Sequence, residues 1–398
     1  MKVAFVCGFA WEPKGTARAR AFPLAVELVN KGHEVAIFLA PYDNPAESSQ
    51  KRELEGVHIV NVKVGARPGL RHAPLIARRL CLAIRKYAPD VVHVFKPKGY
   101  AGAACTWLLL RGCRAVALDC DDWEGWGGWN EVKDYPWLLK EYIDWQEKWL
   151  LRRAPVVTAA SQVLARRAAA LRGSANGVFY VPNCGVSRTN VAAQERIRAA
   201  SGNGAKQSLG LSDALVILYS GHFEPGDDIM LFCRGAAPVA RRTGATIVFV
   251  GEGPELVQVR EFFSGETGVT VRFFPRLPYE KFVRLVAAAD VAAFPYPDNE
   301  IYRAKCSVRI IDYMAMGKAV LTTAVGQNTD YIVNGESGIL TPPGDEMRFV
   351  QELERLLQNE PLRERLGRNA RQRIQEQFSW DGAALENCLR AYQQLAKS

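Results

Sequence analysis

The sequence predicts two α/β domains, each a Rossmann-like, doubly wound, mostly parallel sheet, that face a central cleft. Apolar, β-branched runs without strict alternation recur between amphipathic segments, which is typical of parallel strands buried on both faces. This series stops at a polar stretch and then starts again, so the 398 residues hold two sheets of similar size. Open α/β sheets bind ligands beyond the carboxyl ends of their strands, and two joined sheets therefore predict a ligand held between the domains.

The first domain is predicted over residues 1–186. It opens on a strand, a glycine-containing loop at Gly8–Gly15 and a helix from about Thr16 to Asn30. The predicted strands are Val3–Cys7, Glu34–Leu39, Val57–Val62, Val91–Phe95, Ala115–Asp119, Val156–Ala159 and Phe179–Val181. The loop lacks the G-x-G-x-x-G spacing of a dinucleotide-binding fingerprint, so a nicotinamide cofactor is not expected.

The second domain is predicted over residues 211–376, after a linker at 187–210 that is rich in Ser, Asn, Ala, Arg and Gly. Its predicted strands are Leu215–Ser220, Thr246–Val250, Val269–Phe274, Val291–Phe294, Ala319–Thr323 and Gly338–Leu340. Its predicted helices are Ile229–Arg242, Pro254–Phe263, Tyr279–Ala288, Ser307–Met316, Glu346–Asn359 and Leu362–Glu376. The segment 377–398 predicts a further amphipathic helix that packs back toward the first domain.

Composition excludes several classes of protein. The chain is 48% hydrophobic and 23% charged, as expected for a globular protein, and no apolar run reaches the roughly 18 residues of a membrane span. Its nine cysteines are scattered without a C-x-x-C pair, and its five histidines form no ligand-spaced pairs. We therefore expect a cytoplasmic, reducing location and no metal site.

The formal net charge of +9 is concentrated early, in a predicted helix at Arg71–Lys86. Apolar residues recur there at helical spacing, while Arg71, Arg78 and Arg85 stack on another face. Such a basic amphipathic helix suits peripheral contact with an anionic membrane, on the cytoplasmic side. The alternative is a helix that covers the sheet with a solvated basic face. A nucleic-acid partner is not expected, since no nucleic-acid-binding module accompanies the charge.

Several segments of the second half follow one another in a recognisable order. They are Val250-Gly251-Glu252-Gly253-Pro254, Phe294-Pro295-Tyr296-Pro297, the run Lys305–Val320, Asn334–Leu340 and Pro343-Gly344-Asp345. The first half agrees at Lys31–Val35, Pro89–His93 and Val181–Val186. In this order the chain resembles the retaining glycosyltransferases of the GT-B fold, family 4. The resemblance spans nearly the whole chain and is more specific in the second half.

The resemblance implies a donor that is a nucleotide-diphosphate sugar, of UDP or GDP, bound by the second domain without a metal or other cofactor. The leaving diphosphate gains negative charge, which fixed cations and helix N-termini stabilise. Lys305 is the expected diphosphate ligand and Arg309 its helper, both at the entry of the helix near Ser307. Asp312 stands where the family usually places a Glu that holds the ribose. The alternative for all three is a solvated helix-surface charge.

The remaining donor-binding candidates are chosen by their places at the ends of predicted strands and loops. Arg276 and Leu277 follow a strand where relatives hold the nucleotide base with backbone groups. Gly251 and Gly253 let the backbone approach a ligand, or simply make a tight turn. Gly15 closes the first loop, which is expected to face the diphosphate or the acceptor.

Two departures from the family pattern weaken the case for catalysis. The first Glu of the family's E-x7-E motif would stand at position 304, which is Ala304. Glu300 and Asp298 lie nearby and are candidates to reach the donor sugar. In the family's G-R-x-x-x-x-K-G motif, His222 replaces the Arg and Asp227 replaces the Lys, so two permanent cations are missing.

The segment Asp119–Trp149 is the most unusual of the first domain, with six of the nine tryptophans. Many relatives place a histidine near this strand end, whereas this chain has acids. Asp121 or Asp122 is therefore expected to orient the acceptor hydroxyl or to act as its base. The alternatives are metal binding or helix capping for the acids, and core packing or a membrane-facing rim for Trp145 and Trp149.

Two arginines of the first helix are candidates to bind the acceptor. Arg18 and Arg20 either meet an anionic acceptor or are ordinary surface arginines.

The sequence thus predicts a retaining hexosyltransferase that glycosylates a lipid-linked, polysaccharide or small-molecule acceptor. Two rivals remain open at this point. A non-catalytic nucleotide-sugar-binding protein would bind donor without turnover, and Ala304 and Asp227 favour it. A nucleotide-sugar epimerase would react without an acceptor, and the segments around Asp312 and Gly335 disfavour it.

Overall fold

The computed structural model describes residues 1–12, 15–66, 69–185, 206–207, 210–211, 214–224, 226 and 228–397. The chain forms two compact units. Unit 1 comprises Met1–Cys184, Ala304–Cys306 and Trp380–Ser398, and unit 2 comprises Gly185–Arg303 and Ser307–Ser379. The predicted first boundary, at residue 186, lies two residues past the end of the first segment of unit 1. Most of the predicted linker 187–210 lies outside the described residues.

Unit 1 contains an eight-stranded sheet whose strands are parallel except for one edge strand. The strands are β1 (Lys2–Cys7), β2 (Glu34–Leu39), β3 (Lys51–Leu54), β4 (Val57–Asn61), β5 (Val91–Phe95), β6 (Val116–Cys120), β7 (Val156–Ala159) and β8 (Val178–Tyr180). Their order is β3-β4-β2-β1-β5-β6-β7-β8. Strand β3 pairs antiparallel with β4 and was not predicted, because all four of its residues are exposed and three are charged. Charged side chains on an edge strand discourage pairing with another chain.

The helices of unit 1 cover both faces of this sheet. They are α1 (Phe22–Asn30), α2 (Ala73–Tyr87), α3 (Gly99–Leu110), α4 (Trp137–Arg153) and α5 (Gln162–Arg172). A turn of π-helix, Ala17–Ala21, leads directly into α1. Apolar residues of α2, α3, α4 and α5 share one core with one face of the sheet. The central strands β5 and β6 are buried at every residue, which explains their unbroken apolar pattern.

Unit 2 contains a six-stranded sheet with parallel pairing throughout. The strands are β9 (Val216–His222), β10 (Thr246–Glu252), β11 (Thr270–Phe274), β12 (Val291–Phe294), β13 (Ala319–Thr323) and β14 (Ile339–Thr341), in the order β11-β10-β9-β12-β13-β14. The helices are α6 (Ile229–Thr243), α7 (Leu256–Ser264), α8 (Tyr279–Ala288), α9 (Glu300–Ala304), α10 (Val308–Ala315), α11 (Asn328–Tyr331), α12 (Glu346–Gln358) and α13 (Glu360–Gln377).

The last helix, α14 (Leu385–Leu395), belongs to unit 1 and packs against β6, β7 and β8. Its Tyr392 is fully buried beside His93 of β5, with ring centroids 5.7 Å apart. The predicted fold class is confirmed for each unit, since both are parallel sheets wound by helices. Across the described residues, no helix has both the length and the apolar character needed to cross a membrane.

Candidate active site

In unit 2, the carboxyl ends of β9 and β10 form a turn-rich edge. The two strands are in register, so Gly221 lies beside Gly251 and His222 beside Glu252. Gly221, Gly251 and Gly253 have φ angles of 146°, 139° and 150°, which L side chains rarely adopt. A Cβ on Gly253 would lie 2.5 Å from the carbonyl oxygen of Phe223, and a Cβ on Gly251 would overlap the carbonyl of Gly221. Close backbone packing alone therefore requires glycine at 251 and 253.

Arg309, in the first turn of α10, points at this edge. Its guanidinium occupies the space that a Cβ on Gly221 would fill. The guanidinium carbon lies 5.0 Å from the ring centroid of Tyr219 and 5.3 Å from that of Phe294. Aromatic faces attract a cation, and they hold this one at the carboxyl ends of β9 and β12. Arg309 thus stands where the donor site of an α/β sheet is expected.

The first turn of α10 is not capped by a side-chain hydrogen bond from Ser307, which is the cap residue of the helix. The hydroxyl of Ser307 instead accepts a hydrogen bond of 3.1 Å from the hydroxyl of Tyr296. The N–H groups of the first turn therefore receive no side-chain acceptor from Ser307 and add a positive dipole end beside Arg309.

His222 has two polar neighbours on the same edge. Its Nδ1 hydrogen-bonds the carbonyl oxygen of Glu252, and its Nε2 lies 3.2 Å from a carboxylate oxygen of Glu224. Arg276 approaches the side chain of Glu252 at 4.0 Å. Glu224 was missed by sequence reasoning, although it stands two residues after His222. Asp227, predicted to replace a family lysine, lies outside the described residues.

The two predicted donor-binding acids, Asp312 and Glu300, have different hydrogen-bond partners. The hydroxyl of Tyr279, at the start of α8, donates a hydrogen bond of 3.2 Å to Asp312. Tyr279 stands two residues after Leu277, so Asp312 lies near the segment predicted to hold the base. Glu300 is instead exposed and paired with Arg303 at 3.0 Å, and the same arginine binds Asp298 at 2.6 Å. Both acids are engaged with Arg303 in this structure.

Lys305 lies in unit 1, within the three-residue segment Ala304–Cys306. The hydroxyl of Ser161 donates to the carbonyl of Ala304 at 2.8 Å, and the amide of Asn183 donates to the carbonyl of Cys306 at 3.1 Å. The Lys305 ammonium lies 5.5 Å from the ring centroid of Trp129. Ser307 is the cap residue of α10, so Lys305 lies two residues before that cap, with its neighbours in the chain held by unit 1, and its role as diphosphate ligand stays a prediction.

Ala304, which replaces the first Glu of the family motif, is buried. Its side chain is 1% exposed and belongs to the apolar core of unit 1. Burying a carboxylate at this position without a cation or hydrogen-bond donor would cost free energy of folding. The departure from the family pattern is therefore a packing feature of this chain.

A cluster of charges lies beyond the carboxyl ends of β5 and β6. The Lys96 ammonium lies 3.3 Å from Asp121, 2.5 Å from Asp122 and 3.1 Å from Glu124. Lys98 forms a second ion pair with Glu124. Lys96 has a φ of 71°, a strained left-handed conformation that places its side chain among the acids. The acids are thus paired with lysines, which corrects the alternative of helix capping.

Asp121 and Glu124 have pKa values shifted in opposite directions. Burial raises the pKa of Asp121 to about 6, while the nearby Lys96 charge opposes the rise. The pKa of Glu124 falls to about 2, since the attraction of Lys96 and Lys98 outweighs burial, which acts in the opposite sense. A carboxylate with a pKa near 6 can accept a proton close to neutral pH. Lys96 and Lys98 were missed as cluster members, although both follow the buried strand β5 directly.

Beneath this cluster, a buried polar network crosses the core of unit 1. Arg20 binds Asp119 through two hydrogen bonds of 2.7 Å and also donates to Asn183 at 3.0 Å. Thr158 donates to Asp119 at 2.6 Å and contacts His93 at 2.9 Å. Arg20 is therefore neither an acceptor ligand nor a surface arginine, because its charge is committed to a buried carboxylate. Arg18 is partly exposed and pairs with Glu12 at 3.0 Å.

The tryptophan-rich loop beside the cluster is fixed by the acids of α4. Glu147 accepts the backbone N–H groups of Glu124 and Gly125, at 3.0 and 3.1 Å. Asp144 accepts the N–H of Trp126 at 3.0 Å, and Glu141 accepts its indole N–H at 2.9 Å. Trp149 packs against the apolar core of unit 1, whereas Trp145 is half exposed. Core packing is thus wrong for Trp145.

Gly15 lies at the start of the first helical turn. A Cβ there would meet nothing within 4 Å, and its carbonyl accepts the N–H of Ala19 at 2.7 Å. The donor-binding role predicted for Gly15 remains a prediction.

The comparisons with known proteins agree with this architecture. Residues 15–184 match the model described as "Glycosyl transferase 4-like domain", and residues 214–359 match the one described as "Glycosyl transferases group 1". A D-inositol 3-phosphate glycosyltransferase of a Nocardioides species is 30% identical over 200 residues, 45% of this chain and 42% of the relative. The alignment thus spans less than half of that relative's length.

Two solved structures share the fold over the whole chain. Sucrose-phosphate synthase from Thermosynechococcus elongatus has a TM-score of 0.76 at 20% identity, covering 100% of both chains. Anabaena HepE in complex with UDP-glucose has a TM-score of 0.68 at 16% identity, covering 100% of this chain and 98% of the other. At these identities the likeness concerns the fold alone.

Proposed function

The chain belongs to the group 1 glycosyltransferases of the GT-B fold, and we propose that it transfers a hexose from a nucleotide-diphosphate sugar to an acceptor with retention of configuration. The observation that carries this proposal is the placement of Arg309. Its guanidinium lies at the carboxyl ends of β9 and β12, in the first turn of α10 and beside a glycine that leaves room for it. This is an anion site of the kind that a leaving diphosphate needs.

In the proposed reaction the bond between the sugar and the diphosphate breaks, and the diphosphate gains negative charge. Arg309 and Lys305 stabilise that charge, with the first-turn N–H groups of α10 adding hydrogen bonds. His222, whose Nδ1–H donates to the carbonyl oxygen of Glu252, is proposed as a further residue of the diphosphate site. No protein nucleophile is assigned, because leaving-group stabilisation and positioning supply much of the rate.

The nucleoside end of the donor is proposed to lie along α8 and α10. The second carboxylate oxygen of Asp312 accepts from the ribose hydroxyls, while Tyr279 holds the first. Arg276 and Leu277 present backbone groups to the base, with Gly251 and Gly253 shaping the adjacent turn. The HepE structure was solved with UDP-glucose, which supports a uridine nucleotide as the first donor to test.

The acceptor is proposed to bind at the charge cluster of unit 1. Asp121, with its pKa near 6, orients or deprotonates the acceptor hydroxyl, and Asp122 shares the Lys96 ammonium with it. Lys96 acts as a positioning residue, since one strained side chain holds three carboxylates. The acceptor class is a lipid-linked, polysaccharide or small-molecule hydroxyl.

Contact of unit 1 with an anionic membrane is proposed through α2. The structure corrects the predicted segregation of that helix, because Leu75 and Leu82 are exposed on the same face as Arg78 and Arg85, while Arg71 lies in the 3-10 turn Leu70–His72 that precedes α2. A face on which leucine alternates with arginine suits the headgroup boundary of a bilayer better than a purely solvated basic face.

A second candidate is a nucleotide-sugar-binding protein without turnover. The buried Ala304 favours it, because the family carboxylate that this position would supply is missing. Glu300, held by Arg303, is not a ready substitute in this structure.

The deciding experiment measures hydrolysis and transfer with a panel of nucleotide sugars, together with thermal shifts, for the wild type and Lys305→Ala. Turnover of one donor that falls in the variant supports the transferase and identifies the donor. A thermal shift without turnover, with acceptors supplied, favours the binding protein. If no nucleotide sugar produces a shift, the assignment of unit 2 is wrong.

A further inference from the structure

The outward face of the helical layer formed by α2, α3 and α4 has an unusual composition. On α4, the side chains of Trp137, Leu138 and Trp145 are 65%, 74% and 50% exposed. Leu110 at the end of α3 is 73% exposed. Single exposed apolar residues are ordinary on protein surfaces, whereas several large ones on adjacent helices mark an interaction site.

The residues on α4 form a continuous stripe. Leu138, Tyr142, Trp145 and Trp149 follow one another at spacings of four, three and four residues, which places them on one face of the helix. The ring centroids of Tyr142 and Trp145 are 6.0 Å apart, and those of Trp145 and Trp149 are 6.1 Å apart. The stripe therefore presents a row of neighbouring, mutually tilted aromatic rings along the helix.

Cations border this stripe. Arg153 lies over Trp149 with its guanidinium carbon 4.7 Å from the ring centroid, and Arg152 is exposed beside it. On α3, Arg111 lies 4.8 Å from the centroid of Trp107. On α2, Arg78 and Arg85 share the exposed face with leucines. Helix α3 packs against both α2 and α4, so these cations belong to one layer.

The acids of these three helices are confined to α4. Helices α2 and α3 contain no Asp or Glu. The three acids of α4, namely Glu141, Asp144 and Glu147, all accept hydrogen bonds from the tryptophan-rich loop, and Asp144 and Glu147 also pair with Lys148 and Arg167. The layer thus presents apolar and aromatic side chains with a positive border, which is complementary to an anionic lipid surface.

We propose that the outward face of α2, α3 and α4 docks on an anionic bilayer, with Trp137, Leu138 and Trp145 of α4 as the residues that enter the headgroup region. Tryptophan suits that depth because its ring is amphipathic. The inference rests on the proposed membrane contact of α2 and adds the aromatic stripe of α4 to it. Docking on the bilayer does not require that the protein turn over a nucleotide sugar.

The test is co-sedimentation of the full chain with phosphatidylcholine vesicles that contain or lack about a third phosphatidylglycerol, at low salt. The variant W137Q/L138Q/W145Q alters only exposed side chains. The matched control V257Q/M347Q removes two exposed apolar side chains of unit 2, which are 63% and 72% exposed. Donor hydrolysis of each preparation is measured without vesicles, so that failure of the proposed enzyme activity is seen separately.

We expect the wild type and the control to sediment with the anionic vesicles, and the triple variant to lose on the order of tenfold in partitioning. Vesicles without the anionic lipid should bind the wild type less, which separates lipid charge from general adhesion. Sedimentation of the triple variant equal to wild type, with loss only in R78Q/R85Q, would leave α2 as the sole contact and overturn the inference. Absence of wild-type binding at low salt would overturn both membrane proposals.

Discussion

Arg20 and Asp119 form a buried, bidentate ion pair inside unit 1, with both nitrogen–oxygen distances at 2.7 Å. Burial alone would raise the pKa of Asp119, but the charge and hydrogen bonds of Arg20 lower it below its ordinary value. The pair joins the first helical turn to the end of β6, and through Asn183 it reaches the backbone of Cys306 beside Lys305. The Arg20–Asp119 pair therefore has a structural role, and it lies directly beneath the proposed acceptor cluster.

Arg20→Leu should reduce the free energy of unfolding by about 3–5 kcal/mol, since it leaves Asp119 buried without its cation. Urea unfolding at neutral pH measures this change. The matched control is Arg18→Leu, which removes a partly exposed partner of Glu12 and should change stability by at most about 0.5 kcal/mol. Equal effects of the two substitutions would contradict the structural role of Arg20.

The activity should depend on the protonation of Asp121. With its pKa raised to about 6 by burial, kcat/KM is expected to rise with pH up to about 6 and then level off. Asp121→Asn should remove this limb and lower the rate about 10²–10⁴-fold. A wild-type profile that is flat between pH 5 and 7, with saturating donor, would exclude Asp121 as the base.

The same raised pKa has a consequence for stability. Between the ordinary Asp pKa of about 4 and the folded value of about 6, the folded protein binds the proton more tightly than the unfolded chain. The Asp121 contribution to the free energy of unfolding therefore decreases as pH rises through this window. Asp121→Asn should remove that decrease, and the difference between the unfolding curves of the two proteins at pH 4.5 and 6.5 measures it.

The proposed diphosphate cations should act on turnover. Arg309→Ala and Lys305→Ala should each lower kcat about 10²–10³-fold, because each removes a charge that stabilises the leaving group. Lys281→Ala, an exposed lysine on α8, is the control and should leave kcat unchanged. If Lys305→Ala resembles Lys281→Ala, Lys305 does not stabilise the leaving group.

The space at Gly221 should be necessary for Arg309. Gly221→Ala forces a Cβ into the guanidinium at a φ of 146°, so it should weaken donor binding and lower the melting temperature. Gly65→Ala, at a glycine outside the proposed site, meets open space and should lower stability by less than about 1 kcal/mol. Isothermal titration with the donor nucleotide compares the two variants. Equal donor affinity of Gly221→Ala and Gly65→Ala would contradict the role of Gly221.

Local pattern was sufficient for most elements of the fold. The observed bounds of β2, β5, β7, β12 and β13 are the predicted ones. Strands buried on both faces appear in the sequence as continuous apolar runs, which makes them recognisable from local pattern. Strand β3 has no such run, since its charged residues face solvent at a sheet edge. The kink that separates α14 from the turn at Trp380–Ala384 was likewise not visible in the predicted helix 377–398.

The sequence by itself determined the two parallel sheets, the family resemblance, and Arg309, Asp121 and Asp122 as candidates. Tertiary structure decided which partners and which degree of burial the charged and aromatic residues have. It buried Arg20 against Asp119, which is 99 residues away in the chain, placed Lys305 in unit 1 and exposed Trp145. The physical reason is that periodicity reports which face of one element is buried, whereas ion pairing and exposure depend on which distant elements pack against it.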